Sequence, residues 1–360
     1  MSDCKTVRLG DVATYINGYA FKPSDWGTEG LPIIRIQNLT GNDYETNFYN
    51  GKIPEKYFVK NGDVLISWSA SLGVYEWKKN DALLNQHIFK VVFDKLEVDK
   101  KYFMFTVSNL LNAMSKQTHG STMRHITKPD FDNMPFPLPP IEKQKQIARK
   151  LDKCNELILK NNRILEKYDL LIKSRFIEMF GDPSKNPMNW KKCPVIEEAD
   201  CMVPGRDKPK SFTGNIPWIT IDDLNVLNRT RISKKGLGLT VEEINEVKRE
   251  TIPEKSVIMS CVGNLGICSI ADVPMIINQQ LHSFQCKSNL IPEFLMYCLT
   301  YQKPYMESKA NFTTVAYMNK TTCNSIPIIV PPLELQIDFA TFVQQIDKSK
   351  FEYTYTGVAA

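Results

Sequence analysis

Hydrogen-bonding side chains recur at matching places in the two halves of this 360-residue sequence. In the first half they are Arg35, Gln37, Asn38, Ser69, Ser71, Arg124 and His125. In the second they are Thr220, Asp222, Asp223, Asn264, Tyr317, Asn319 and Lys320. These types suit recognition better than bond making. Asn and Gln present a donor beside an acceptor and can grip adenine twice, and Arg or Lys can grip guanine. Asn85-Gln86 and Asn278-Gln279 occur in both halves, which fits a shared fold, so positions that differ between the halves are the better candidates for reading. Asp222-Asp223 pairs two carboxylates, but nothing nearby suggests a metal, and a solvated loop or strand end accounts for the pair.

The groups that catalysis needs are missing. The sequence contains no G-x-x-x-x-G-K-[ST] phosphate loop, no glycine-rich turn that would cradle a dinucleotide or methyl donor, no G-x-S-x-G elbow and no H-E-x-x-H helix. Its double prolines sit in LPPI and VPPL, without the Asn or Asp before and the aromatic residue after them that an amino-methyltransferase motif carries. Nine cysteines, scattered and without a C-x-x-C pair, read as reduced, mostly small core residues, and no metal is expected. No apolar run approaches the roughly 18 residues needed to span a bilayer. The N-terminus has no apolar signal region, so a cytoplasmic protein without membrane partners is expected.

What positions the recognition side chains is an internal duplication. LPIIRIQNL at 31–39 matches IPWITIDDL at 216–224, and DVLISWSASLG at 63–73 matches SVIMSCVGNLG at 256–266. Asn85-Gln86-His87 then meets Asn278-Gln279-Gln280, STMRHITK at 121–128 meets TTVAYMNK, and PFPLPPIEKQ at 135–144 meets PIIVPPLELQ. Each unit reads as mixed α/β. Strands are expected at 33–36, 64–67 and 88–93, and again at 216–221, 257–260 and 283–286, with helices at 101–114 and 291–301. Each unit ends in a double proline, which disfavours helix before it and can open one after it.

From Glu142 to Phe180 no Gly or Pro interrupts. Ile147, Leu151, Cys154, Ile158, Asn161, Leu165, Tyr168 and Ile172 step by four and three, as a coiled-coil seam does. Such a helix is about 58 Å long, and Gly181-Asp182-Pro183 ends it. Residues 141–180 carry ten basic and six acidic side chains, so most of the net charge of +5 lies there. Lys143, Lys145, Arg149, Lys150 and Lys153 cluster at its start, where they suit phosphates or an acidic partner surface as well as a solvated face. The expected domains are 1–140, a spacer helix 141–180, 181–332, a second helix 333–351 and an irregular tail 352–360. That second helix is short. Ile337, Ala340, Phe342, Val343 and Ile346 would cover the stretch containing Leu165, Tyr168 and Ile172 and leave the earlier seam bare. Self-association, or cover by another subunit, follows from a bare apolar stripe.

Two similar domains joined by a rigid helix suit a ruler on DNA. The layout resembles the specificity subunit of type I restriction–modification systems across nearly the whole chain. The resemblance is carried by Leu9-Gly10-Asp11, the PIIRI strand, GDVLI at 62–66, Asn85-Gln86-His87, GST at 120–122 and PLPPIEKQKQI before the long helix. It implies two target-recognition domains, two helices paired antiparallel, and a bipartite asymmetric DNA site. It also implies methyltransferase subunits using S-adenosylmethionine and an endonuclease–translocase using ATP and magnesium, with no cofactor and no catalysis in this chain. The second helix, shorter than the first, departs from that pattern. A stand-alone DNA-binding or scaffold protein is the rival reading, and a single-chain nuclease–methyltransferase would need motifs that are missing.

Overall fold

The computed structural model describes residues 4–41, 46–117, 126–205, 207–312 and 314–356. The chain divides into two compact units, 1–159 and 160–360. The helix Ile141–Phe180 is continuous, and each unit takes the part packed on it.

In the first unit an antiparallel sheet runs in the order Thr14–Asn17, Ile88–Val92, Val64–Ser67, Gly73–Glu76. A second sheet runs Phe48–Tyr49, Leu31–Ile34, Ala82–Leu84, Phe58–Val59, with its central pair parallel. The second unit repeats the plan. Its larger sheet runs Ala199–Met202, Leu281–Cys286, Val257–Ser260, Cys268–Ala271, Arg229–Thr230. Its smaller one runs Gly238–Leu239, Ile216–Ile219, Ile276–Ile277, again with a parallel pair. Each unit also closes its ends in a ribbon, Lys5–Arg8 on Pro135–Leu138 and Lys191–Pro194 on Pro327–Val330.

Strand periodicity explains the unbroken apolar runs. Side chains alternate faces along a strand. Val64 and Ile66 pack with Phe89 and Phe103, while Leu65 turns to Ile34 and Leu84 on the other side. Likewise Val257 and Met259 face Phe284 and Phe294, and Ile258 faces Ile219 and Ile277. Each of these strands is buried on both faces, so it tolerates no polar alternation.

The strands at 31 and 216 end sooner than expected. They stop at Ile34 and Ile219, and a helical turn follows at Ile36–Leu39 and Ile221–Asp223. The reason is local: Asn38 Oδ1 accepts from the Arg35 amide at 2.9 Å, and Asp223 Oδ2 from the Thr220 amide at 2.8 Å. Side-chain acceptors of this kind draw the backbone into a turn.

The central helix is held at its two ends, where the seam residues Ile147 and Ile172 pack on the cores but the buried side chains step by four. Gln144 and Ala148 are buried against the first unit, and Ile172, Phe176 and Phe180 against the second. Steps of four match the 3.6-residue turn of a helix lying on a globular core. Ile147, expected to be bare, is half-buried on the first core. Leu151, Cys154 and Ile158 are exposed, and Asn161, Leu165 and Tyr168 are half-buried.

The C-terminal helix spans Leu333–Thr356, 24 residues, so the expected irregular tail is helical through 356. No Gly or Pro interrupts before Gly357, and Lys350 Nζ meets Asp169 at 2.7 Å on the central helix. Ala340 and Val343 are buried, with Phe342 and Ile346 half-buried beside them. Ile337 is exposed, and its expected place is taken by Phe339, which stacks edge-on against Phe176 and Phe180. The central helix therefore meets an aromatic cluster there rather than a heptad partner.

The two long helices begin alike. Gln144, five residues past Pro139, donates to the Pro139 carbonyl at 2.8 Å and accepts from the Asp99 amide at 2.9 Å. Gln336 donates to Pro331 and Asn289 at 2.9 and 3.1 Å and accepts from the Ile291 amide at 3.0 Å. Both are essentially buried. Gln336→Leu keeps the bulk but strands those partners, so it should destabilise the second unit by about 2–3 kcal/mol. Denaturant unfolding of the variant checks this, and a midpoint equal to the parent's would refute it.

Candidate nucleic-acid interface

In each unit the ends of several strands bring three loops together. In the first, the Trp68 amide donates to His87 O at 3.4 Å and the Ile126 amide to Trp68 O at 3.1 Å. In the second, the Cys261 amide donates to Gln280 O at 2.8 Å and the Met318 amide to Cys261 O at 2.9 Å. The parallel pairs bring a fourth segment to the same edge. Ile34 lies beside Leu84, so Arg35 follows next to Asn85; Ile219 lies beside Ile277, and the Asn278 amide donates to Ile219 O at 2.9 Å.

The first of these loops is built identically twice. Buried Ser67 donates from its hydroxyl to the Ser71 carbonyl, as buried Ser260 does to the Asn264 carbonyl at 2.6 Å. Within the loop Ala70 has φ 58° and Gly263 has φ 75°, a left-handed turn at the same point. The Asn of each shared Asn-Gln pair holds a turn: Asn85 Oδ1 accepts from the Gln86 amide at 2.8 Å and Asn278 Oδ1 from the Gln280 amide at 3.0 Å. Gly18 is required next to it, since a Cβ there would meet the Asn85 carbonyl oxygen at 2.0 Å.

These loops share an electrostatic character. The stretches 64–73, 82–92 and 118–129 contain no Asp or Glu, and neither do 257–271, 275–292 and 308–333, with Asp272 standing between the first two of these. Arg124, Lys128, Lys309 and Lys320 lie in them, whereas Lys90 is bonded to Phe58 O and Lys287 is paired with Asp200 past the other end of its strand. Asp222 is an exposed carboxylate beside the second unit's loops, and loops otherwise poor in carboxylates and seeded with cations suit a polyanion.

The expected recognition residues divide by environment. Ser71, Asp222, Asn264, Tyr317, Asn319 and Lys320 are exposed. Arg35, Gln37 and Thr220 are half-buried, with the Arg35 guanidinium 5.0 Å from the Trp26 ring centre. Ser69 is buried. Asn38 and Asp223 are buried and hold the turns described above. Burial opposes charge on Asp223, yet hydrogen bonds from Thr220, the Lys234 amide and Ser233 hold its carboxyl below the usual range. Asn319 Oδ1 caps a helix by accepting from the Thr322 amide at 2.8 Å, and Asn264 Oδ1 accepts from Lys303 Nζ at 2.9 Å. Arg124 and His125 lie outside the described residues.

On the central helix, Lys143, Arg149, Lys150 and Lys153 are exposed, and Lys145 pairs with Glu142 at 2.9 Å. Among the described residues no cluster of three or more His, Cys, Asp or Glu could hold a metal, and no helix is long and apolar enough to cross a membrane.

Sequence reasoning missed the walls of these loops. Trp68, Phe89, Ile126 and Lys128 with Asn17 and Thr127 line a cavity of about 330 Å³ in the first unit. The matching places in the second hold Cys261, His282, Met318 and Lys320. The rule that differing positions carry the reading would have flagged Trp68 and Phe89.

The comparisons agree with this layout. The family model of the type I restriction modification DNA specificity domain matches residues 1–169 and 202–356. The chain belongs to that family and carries the domain twice. It is 32% identical over 148 residues to the EcoBI specificity subunit of Escherichia coli, a match covering 41% of this chain and 31% of that one. It is 25% identical to the MjaVIII specificity subunit of Methanocaldococcus jannaschii, over 96% of this chain and 86% of the relative. The fold is similar to the crystal structure of the type I restriction–modification system S subunit from M. genitalium. The TM-score is 0.56 at 14% identity, covering 99% of this chain and 93% of the other.

Ala70 is the strained member of the matched loop pair. A left-handed residue with a Cβ costs about 1–2 kcal/mol relative to the right-handed form, and glycine does not bear that cost. Ala70→Gly is therefore expected to stabilise the first unit by about 0.5–1 kcal/mol. Thermal unfolding tests this, and a lower midpoint would show that Ala70 contributes packing that outweighs its backbone strain.

Proposed function

We propose that this chain is the non-catalytic DNA-recognition subunit of a type I restriction–modification complex. Each domain reads one part of a bipartite, asymmetric site. The observation that carries the reading is the pair of carboxylate-poor loop clusters, built by the same backbone bonds but bearing different side chains. A common scaffold with divergent tips reads two different short sequences, because base contacts specify while the framework only positions them. The helix Ile141–Phe180 joins the two domains without a break in the chain's helical run. Ser71, Asp222, Asn264, Tyr317, Asn319 and Lys320 are the expected readers that stand exposed, and the basic residues at the start of the central helix contact phosphates or an acidic partner surface.

The partners in this reading are methyltransferase subunits, which supply S-adenosylmethionine chemistry, and endonuclease–translocase subunits, which use ATP and magnesium. Exchanging residues 1–140 for the corresponding domain of another specificity subunit should change one half of the methylated sequence and leave the other half intact. Methylome sequencing of cells expressing the chimera with methyltransferase subunits reads this out directly. A change in both halves, or no sequence-specific methylation with the parent chain, would defeat the modular reading.

The middle of the central helix exposes Leu151, Leu157, Ile158 and Leu159. An apolar band of this kind favours association, so the isolated chain should self-associate or take a methyltransferase subunit as cover. Light scattering of the purified chain should give a mass above one copy, returning to one copy for Leu151→Lys with Ile158→Lys. A parent chain that is monomeric, and whose assembly with methyltransferase is unaltered by the double variant, would count against this use of the band.

A further inference from the structure

The second unit carries a short hairpin, Asn311–Phe312 against Ala316–Tyr317, of which only Tyr317 is among the recognition residues discussed so far. Phe312 is 72% exposed, more than any other large hydrophobic side chain among the described residues, and Val315 in the same hairpin is 50% exposed. An isolated exposed apolar residue is ordinary. Here the residue sits on a rigid base. The hairpin starts from the helix Lys303–Lys309, where the Ala310 amide donates to Met306 O at 2.9 Å and Met306 is fully buried. It returns through Ala316, whose carbonyl accepts from the Gly263 amide at 2.8 Å, and through Met318, buried and bonded to Cys261. Asn319 then caps the next helix. One leg is therefore pinned to the helix before it and the other to the loop cluster, with Phe312 and Val315 exposed between them.

The surroundings select the occupant. From Ser308 to Leu333 the chain has Lys309 and Lys320 and no acidic residue. A protein partner would be expected to find a continuous apolar patch, whereas the exposed apolar groups here are two aromatic rings, Phe312 and Tyr317, and one valine, in a stretch of Asn, Thr and Lys. Stacked bases between phosphates fit that pattern: an apolar wedge enters a base step while cations contact the backbone on either side.

We propose that Phe312 is a wedge that inserts into a base-pair step in or beside the half-site read by the second domain, unstacking it and so making recognition depend on how easily that step deforms. The proposal rests on the DNA-recognition reading above and adds to it a contact that reads deformability rather than base edges.

The test uses the full chain in complex with its methyltransferase subunits and duplexes containing the site found by methylome sequencing. 2-Aminopurine is placed in turn at successive positions of the second half-site and its flanks. With the parent chain, fluorescence should rise at one step on binding, as unstacking relieves quenching. Phe312→Ala should abolish that rise and weaken specific binding about tenfold, within the range that base–aromatic stacking supplies. Phe312→Leu, which keeps an apolar wedge, should retain much of both. The ring is exposed, so an unchanged melting temperature shows that Phe312→Ala still folds.

The wedge is overturned if Phe312→Ala binds the site with parental affinity and fluorescence. It is also overturned if that variant loses methyltransferase assembly or changes its self-association, since the ring would then face a protein. In these outcomes sequence-specific binding by the parent survives, and the recognition reading stands. If the parent complex binds no specific site, that reading fails and the wedge fails with it.

Discussion

A buried glutamine fixes where each long helix begins, and the rest of each unit is arranged around it. The double proline supplies a carbonyl and cannot supply an amide, so the chain leaving the ribbon has hydrogen-bonding groups to satisfy in a water-free place. Gln144 and Gln336 meet that need and at the same moment take the amide at the start of a second helix, that of Asp99 or Ile291. One side chain therefore ties three elements together: the closing ribbon, the helix on the sheet and the long helix. Leaving such a network half-made is more costly than never forming it. The same residue type at the same distance from the prolines in both units follows from this geometry.

With the framework fixed at that end, the opposite demands can be met at the loop end. Backbone amides and carbonyls make the bonds that join the loops, and Ser67 and Ser260 close the same turn from below. Almost nothing in this lacing depends on the outward side chains. Ser71 can become Asn264, or Trp68 Cys261, without disturbing it. A protein that must read different sequences with related domains needs this separation between bonds that hold shape and atoms that touch the ligand.

Much of this was legible in the sequence because the relevant signals are local or periodic. The duplication, the buried strands at 64 and 257, and the unbroken helix come from patterns a few residues long. What escaped depended on side chains choosing between two jobs. Asn38 and Asp223 have the chemistry of recognition residues, but three positions before each of them stands an amide that needs an acceptor. The heptad misled for a related reason: alternating steps of four and three coincide with steps of four over short lengths, so Ile147 was read as bare and Phe339 was left out until the globular core was present. The helical 352–356 segment illustrates the weakness of propensity alone, since Thr and Tyr are poor helix formers that a preceding, well-anchored turn carries along.

The central helix shows how the two requirements meet. Its ends are parts of globular cores: Ala148 is buried in one, and Phe176 and Phe180 in the other. The stretch between them is mostly exposed, with Asp152 paired to Lys101 near one end and Asp169 to Lys350 near the other, and an isolated helical segment of that length is marginal in water. It persists because each end is nucleated by tertiary packing, so that only propagation is left to the middle. Leu, Lys, Glu, Arg and Ile fill that middle, and most are good helix formers. Its exposed leucines are thus not needed for helix formation, which leaves their apolar surface to be explained by what the helix meets rather than by how it folds.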